Sequence, residues 1–208
     1  MDDDERALSP QEMLRLIEQQ ETAAAERFVP DPVPHFLAWG VAWLAGFGAL
    51  FLHYGLSGRP YAPVPFWVAL TVLWVLTAAA MVISAATMWQ LRSPVRGPSQ
   101  ERGTMYGLAW AMGFLGVWTV GIRFGQQLPE AETGLLWAGL SMMTVAMLYV
   151  AGGAVWHERT MFLFGVGMAV LNAVGVMAGP GWHALLMAAG GGGGSIVAGL
   201  LLRRMRRR

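Results

Sequence analysis

Six long apolar stretches divide this chain, and short polar runs separate them. They fall near residues 36–56, 65–89, 103–123, 134–156, 160–178 and 181–202. A helix needs about 20 mostly apolar residues to cross about 30 Å of hydrocarbon, and each stretch comes close to that length. None contains Asp, Glu or Lys, and Arg123 only marks the rim of the third. The pattern predicts an all-α protein: a six-helix transmembrane bundle over residues 35–202. The first stretch is not expected to be a cleaved signal peptide, because it follows an acidic segment and exceeds the length of a signal core.

A different pattern precedes the bundle. Ser9-Pro10-Gln11-Glu12 has the form of a capping box with proline at the first helical position. Met13, Leu14, Ile17, Ala24, Ala25 and Phe28 then recur at helical spacing, opposite Glu12, Arg15, Glu18, Gln19 and Glu26. This predicts a short amphipathic helix over 10–28 within a cytoplasmic segment, residues 1–34. Two uses fit it: a solvated helix resting on the mouth of the bundle, or a docking surface for a cytoplasmic protein. Flat adsorption to anionic lipid is not expected, since helices that do so are usually basic.

Composition supports the membrane reading. The 208 residues are 55% hydrophobic and 13% charged, against about 25% charged in a soluble domain. With no cysteine, disulfides, thiolate metal sites and cysteine nucleophiles are excluded. Charge is segregated along the chain. Residues 1–34 carry nine acids and three arginines, and the tail at 203–208 carries five arginines. With the N-terminus inside, 12 arginines fall on the cytoplasmic side and only Arg59 and Arg123 on the outer side. The positive-inside rule therefore predicts a multi-pass inner-membrane protein with both termini cytoplasmic.

Punctuation agrees with the threading. Pro60, Pro63 and Pro65 mark the first outer loop, and Pro94 and Pro98 the second cytoplasmic one. Ser99 is expected to cap the third span, and Gly179-Pro180-Gly181 to turn tightly between the last two. Trp39, Tyr54, Tyr61, Trp67, Trp89, Tyr106, Trp137, Trp156 and Trp182 sit near predicted ends, as in an aromatic belt.

The candidate chemistry is sparse. Gly190, Gly191, Gly192, Gly193 and Gly194 lie at the centre of the sixth stretch, although each glycine inside a helix costs about 0.8–1 kcal/mol relative to alanine. Either the run lets a neighbouring backbone approach closely, or the helix is interrupted there, as in many transporters. Asn172, the only asparagine, sits inside the fifth span. It needs a partner; an interhelical hydrogen bond or a permeating solute would serve, and Ser195 is a candidate partner. Arg123 can snorkel to the interface or, if buried, hold an anion. His35, His53, His157 and His183 all fall near predicted ends without metal-ligand spacing, and the outer two, His53 and His183, could pair if they meet.

No catalytic motif and no carboxylate pair appears within a span, so no enzyme, cofactor or metal site is expected. The arginine tail reads as a topology anchor at anionic headgroups rather than a nucleic-acid site. The capped helix around Ser9–Gln20, the Trp39-Gly40-Val41-Ala42-Trp43-Leu44 run, and the Gly179-Pro180-Gly181-Trp182-His183 turn before Met187 and the glycines resemble a group of uncharacterised six-span membrane proteins from actinobacteria. That resemblance covers nearly the whole chain. It implies a protein of the kind labelled hypothetical or, loosely, transporter-like, with no catalytic residues to carry over.

Two functions are expected from this reading. One is a transport or permeation component for a small solute, its pathway at Gly190–Gly194 with Asn172 and Ser195, and Trp182 and His183 at the outer mouth. The other is a non-transporting scaffold or sensor that docks a cytoplasmic partner through the N-terminal helix. The lipid bilayer is the first partner in either case, and a homo-oligomer is compatible with both.

Overall fold

The computed structural model describes residues 9–28, 31–90 and 98–205. Among them there are helices, turns and no strand. A first helix, α1 (Pro10–Phe28), precedes five long helices: α2 (Pro32–Tyr54), α3 (Phe66–Gln90), α4 (Pro98–Gly125), α5 (Glu130–Val155) and α6 (Arg159–Ala178). The last span is built from α7 (Pro180–Leu186), a π-helical segment (Met187–Gly193) and α8 (Gly194–Met205). Six helices are long and apolar enough to cross a membrane, which makes this a multi-pass membrane protein. The far tail, residues 206–208, and the loop at 91–97, with Pro94, lie outside the described residues.

The helix ends extend past the apolar stretches because their first turns are polar and capped. Asp31 caps α2 by accepting from the Val33 amide at 3.0 Å, with Pro32 at the first helical position. Glu158 caps α6 by accepting from the Thr160 amide. Glu130 and Glu132 occupy the first turn of α5, where the helix dipole favours negative charge. Ser99 does not stand as a cap: α4 already begins at Pro98, which puts Ser99 inside its first turn. The capping box of α1 forms as expected. Glu12 accepts from the Ser9 amide at 2.8 Å, and the Glu12 amide donates to the Ser9 hydroxyl at 3.3 Å.

Glycines set the distances between helices in the bundle. α2 packs against α3 on one side and against the whole last span on the other. α5 pairs with α6 and also carries α4. At the α5–α6 crossing, a methyl group added to Gly165 would lie 2.7 Å from the Val150 nitrogen and 2.8 Å from the Ala146 carbonyl oxygen. The turn after α6 uses Gly179 at φ 101°, and Pro180 then starts α7. Gly181 abuts the Gly55 carbonyl, where α2 ends. α2 therefore ends where α7 begins. At the opposite end Gly199 of α8 rests against Phe36 and Leu37 of α2. The core between these elements holds Trp43, Phe47, Leu50, Met142, Ala146, Met168, Ala184 and Met187.

Candidate functional site

The glycine run is a continuous helix with a widened turn. Backbone angles remain right-handed helical at both edges of the π segment: φ −64°, ψ −38° at Leu186 and φ −59°, ψ −42° at Gly194. The interruption that a binding site would use is therefore not found; the chain keeps its hydrogen-bond ladder with wider spacing.

Three of the five glycines make room for neighbours. A methyl group on Gly190 would meet Leu171 at 2.5 Å, and one on Gly191 would meet Met168 at 3.2 Å and Trp43 at 3.4 Å. One on Gly192 would collide with the Leu44 backbone nitrogen and lie 2.9 Å from the Gly40 carbonyl oxygen. The contact is reciprocal, since a methyl group on Gly40 would lie 3.0 Å from the Gly192 carbonyl oxygen and 2.9 Å from the Ile196 nitrogen. This is a backbone-to-backbone crossing of α2 and the last span, the close approach that small residues permit in membranes. Gly193 and Gly194 are not part of it; a methyl group would have ordinary or no contact there.

Asn172 is 1% exposed, and its partners are protein groups. Its amide nitrogen donates to the Gly139 carbonyl at 3.0 Å, which turns its carbonyl oxygen toward His183. His183 Nε2 is 2.8 Å from that oxygen, so Nε2 carries a hydrogen and donates. The three groups tie α5, α6 and α7 together. Gly175 makes this geometry reachable, because a methyl group there would sit 2.8 Å from the His183 Cα. The sequence reading put His183 at an outer mouth with Trp182. Instead His183 is 2% exposed and edge-on to Phe47 at 5.9 Å, whereas Trp182 is 42% exposed. His183 and His53 do not pair, because His53 Nδ1 bonds the Val64 carbonyl at 2.8 Å.

The other predicted residues are not drawn into one pathway. Ser195 is buried, but its hydroxyl donates to the Gly191 carbonyl one turn earlier at 2.7 Å rather than to Asn172. Arg123 is exposed at the rim, with its guanidinium carbon 5.8 Å from the centre of the Phe124 ring. A shallow open depression lined by Ala173, Val174, Met177 and Ala178 lies on the outer face of α6 and is apolar. Among the described residues, the Tyr54 hydroxyl is the buried side-chain polar atom without a hydrogen-bond partner.

A second polar cluster, unforeseen from the sequence, joins α2, α3 and α5. His35 Nδ1 is 2.8 Å from the Ser84 hydroxyl, and His35 Nε2 is 3.2 Å from the Tyr149 hydroxyl. Trp39 Nε1 donates to Ser84 at 3.0 Å, and Ser84 donates to the Ala80 carbonyl at 2.8 Å. The Ser84 proton is thus committed to Ala80, and its oxygen accepts from Trp39 and from His35. The histidine cannot be a base for this serine, so the pair lacks the proton direction of a Ser-His nucleophile. The signal in the sequence was a serine inside an apolar span. Its partners are 49 and 45 residues away, too distant for any local pattern.

A comparison of the chain with family models, with curated proteins and with solved structures found no similar protein.

Proposed function

We propose that this is a non-transporting membrane protein that presents its N-terminal helix to a cytoplasmic protein. The observation that carries the reading is the surface of α1. Met13, Leu14, Leu16 and Ile17 are 41–60% exposed on a helix whose start is capped, and among the described residues no helix of the bundle packs extensively against it. The surrounding segment is strongly acidic. The partner that matches both features is a protein with an apolar groove edged by basic residues, the helix-in-groove mode of recognition. The arginine distribution supports a cytoplasmic position for this helix in an inner membrane.

The interior supports the same reading. Polar groups along the expected pathway are occupied by one another: Asn172 by Gly139 and His183, Ser195 by Gly191. Transport keeps one observation in its favour, the widened π turn at mid-span, since such turns occur often at functional sites. The two readings separate by photo-crosslinking in intact cells with the full chain. A crosslinker at Leu14 or Ile17 should capture one defined protein, in a salt-sensitive manner, while one at Gln11 or Gln19 should not. Capture of lipid alone at positions 14 and 17 would sink the docking reading.

A further inference from the structure

We propose that His35 is a proton-binding site that reverses its hydrogen bond to Tyr149 on protonation. The argument starts from the donor count around Ser84. A serine hydroxyl has one proton and two acceptor positions. The Ala80 carbonyl takes the proton, and the Trp39 indole, which can only donate, takes one acceptor position. The remaining position faces His35 Nδ1 at 2.8 Å, so Nδ1 carries a hydrogen. In the neutral ring Nε2 is then a bare acceptor, and the Tyr149 hydroxyl donates to it.

Protonation changes only one of these bonds. A proton from water at this end of the bundle binds the Nε2 lone pair, giving an imidazolium. The Tyr149 O–H···Nε2 bond breaks. Nε2–H then donates to the Tyr149 oxygen, and the phenol keeps its own proton, which rotates about the C–O bond to a new direction. The Ser84 bond is the same in both states. The link from α2 to α3 is therefore indifferent to the proton, while the link from α2 to α5 reports it.

Aromatic and hydroxyl groups from four helices surround the site. His35 lies one turn inside α2, after the capping residue Asp31. Aromatic rings flank it, with Phe36 and Trp39 each 6.1 Å away between centroids. The helices packed around it bring Ser84 from α3, Tyr149 from α5, and the Phe164 ring of α6, 5.2 Å from Tyr149. Tyr106 of α4 reaches the same part of α5. Its hydroxyl is already committed to the Leu148 carbonyl at 2.7 Å. Among the described residues, the titratable or charged groups on the elements around the site are thus Tyr149, Tyr106 and Asp31.

Nitrogen NMR of ring-labelled histidine in the full chain, embedded in lipid nanodiscs, tests this directly. At high pH the His35 signals should be those of an Nδ1–H tautomer with bare Nε2. On acidification Nε2 should move to the protonated position, and the ring carbon bearing the Tyr149 hydroxyl should shift over the same pH range. In Tyr149→Phe the Nδ1–H tautomer should persist. In Ser84→Ala its preference should be lost. An Nε2–H tautomer at high pH would overturn the proposal. So would a His35 that stays neutral down to the pH where the protein unfolds, or a Tyr149 signal that ignores the His35 transition. The wild-type measurement decides these outcomes even if a variant fails to fold.

Discussion

The last span and α4 are both apolar, both rich in glycine and both long enough to cross a membrane, yet they stand in opposite relations to the bundle. In the last span Gly192 lies against the backbone of α2, and His183 bonds Asn172 of α6 nearer its start. In α4 a methyl group on Gly103, Gly107 or Gly116 would meet no atom within 4 Å, and one on Gly113 or Gly121 would meet only side chains of α5, among them Thr144 and Trp137. Hydroxyls follow the same division. Thr104 and Thr119 of α4 are exposed and each donates to the carbonyl one turn earlier, at Gln100 and Leu115, which satisfies them without a neighbour. Glycine content and hydropathy therefore identify a span, but the inward side is set by which glycines meet a backbone.

Substitutions can break this contrast, and the largest effect is expected at Gly192. Leucine there must displace the α2 backbone. Overpacking costs about 1–3 kcal/mol, and each kcal/mol moves the melting temperature of a chain this long by about 2–4 °C, so Gly192→Leu should lose about 2–12 °C in detergent. Gly107→Leu in α4 should leave the melting temperature unchanged. Equal losses in the two variants would erase the distinction between the helices.

The polar chain should come next. Asn172→Leu leaves His183 without its acceptor in a buried place, a loss of about 1–3 kcal/mol. Combining it with His183→Phe removes both partners and should recover part of that loss. A double-mutant cycle read by thermal unfolding measures the coupling. Simple addition of the two losses would mean that the His183–Asn172 bond contributes nothing.

Within the glycine run the expected effects differ in sign. Gly192→Ala should destabilise, whereas Gly194→Ala meets open space and should gain up to about 1 kcal/mol from helix propensity. A gain at both positions would show that α2 is not in contact with the run.

The smallest effect belongs to α1. Hydrogen bonds from the Ser9 amide, and then from its hydroxyl, hold the Glu12 carboxyl below the usual carboxylate range. A depressed folded value means that the cap is fully present above the unfolded carboxylate pKa, about 4.3, and is lost as pH falls through the folded value. Amide protection at Met13, whose N–H donates to the Ser9 carbonyl at 3.0 Å, should fall in acid in the full chain. Glu12→Gln should flatten that response. Protection that does not change with pH would place the stability of this turn elsewhere.

The positions of the six spans were legible because hydrocarbon demands long apolar runs, and the expected ends fell within a few residues of the observed ones. The capping box at Ser9 and the turn at Gly179 were legible because their chemistry is local. Facing was not legible, since lipid tails are as apolar as leucine and a span gains nothing by segregating apolar residues to one side. That is why His183 reads as a rim residue and is instead at the core. It is also why the His35, Ser84 and Tyr149 cluster stayed hidden: His35 and Tyr149 are 114 residues apart. The glycine run offered packing or interruption, and the geometry realises packing, with a π turn that no local rule foretold.

The central claim is that the last span is packed and dry at its glycine run. The chain has no cysteine, so a single Ser195→Cys, nearly the same size as serine, can report on water there. Treated with a small water-soluble thiol reagent in native membranes, it should stay unlabelled, and it should label fully once the protein is unfolded in SDS. Rapid labelling in the native membrane would contradict the account and return the run to a solute pathway.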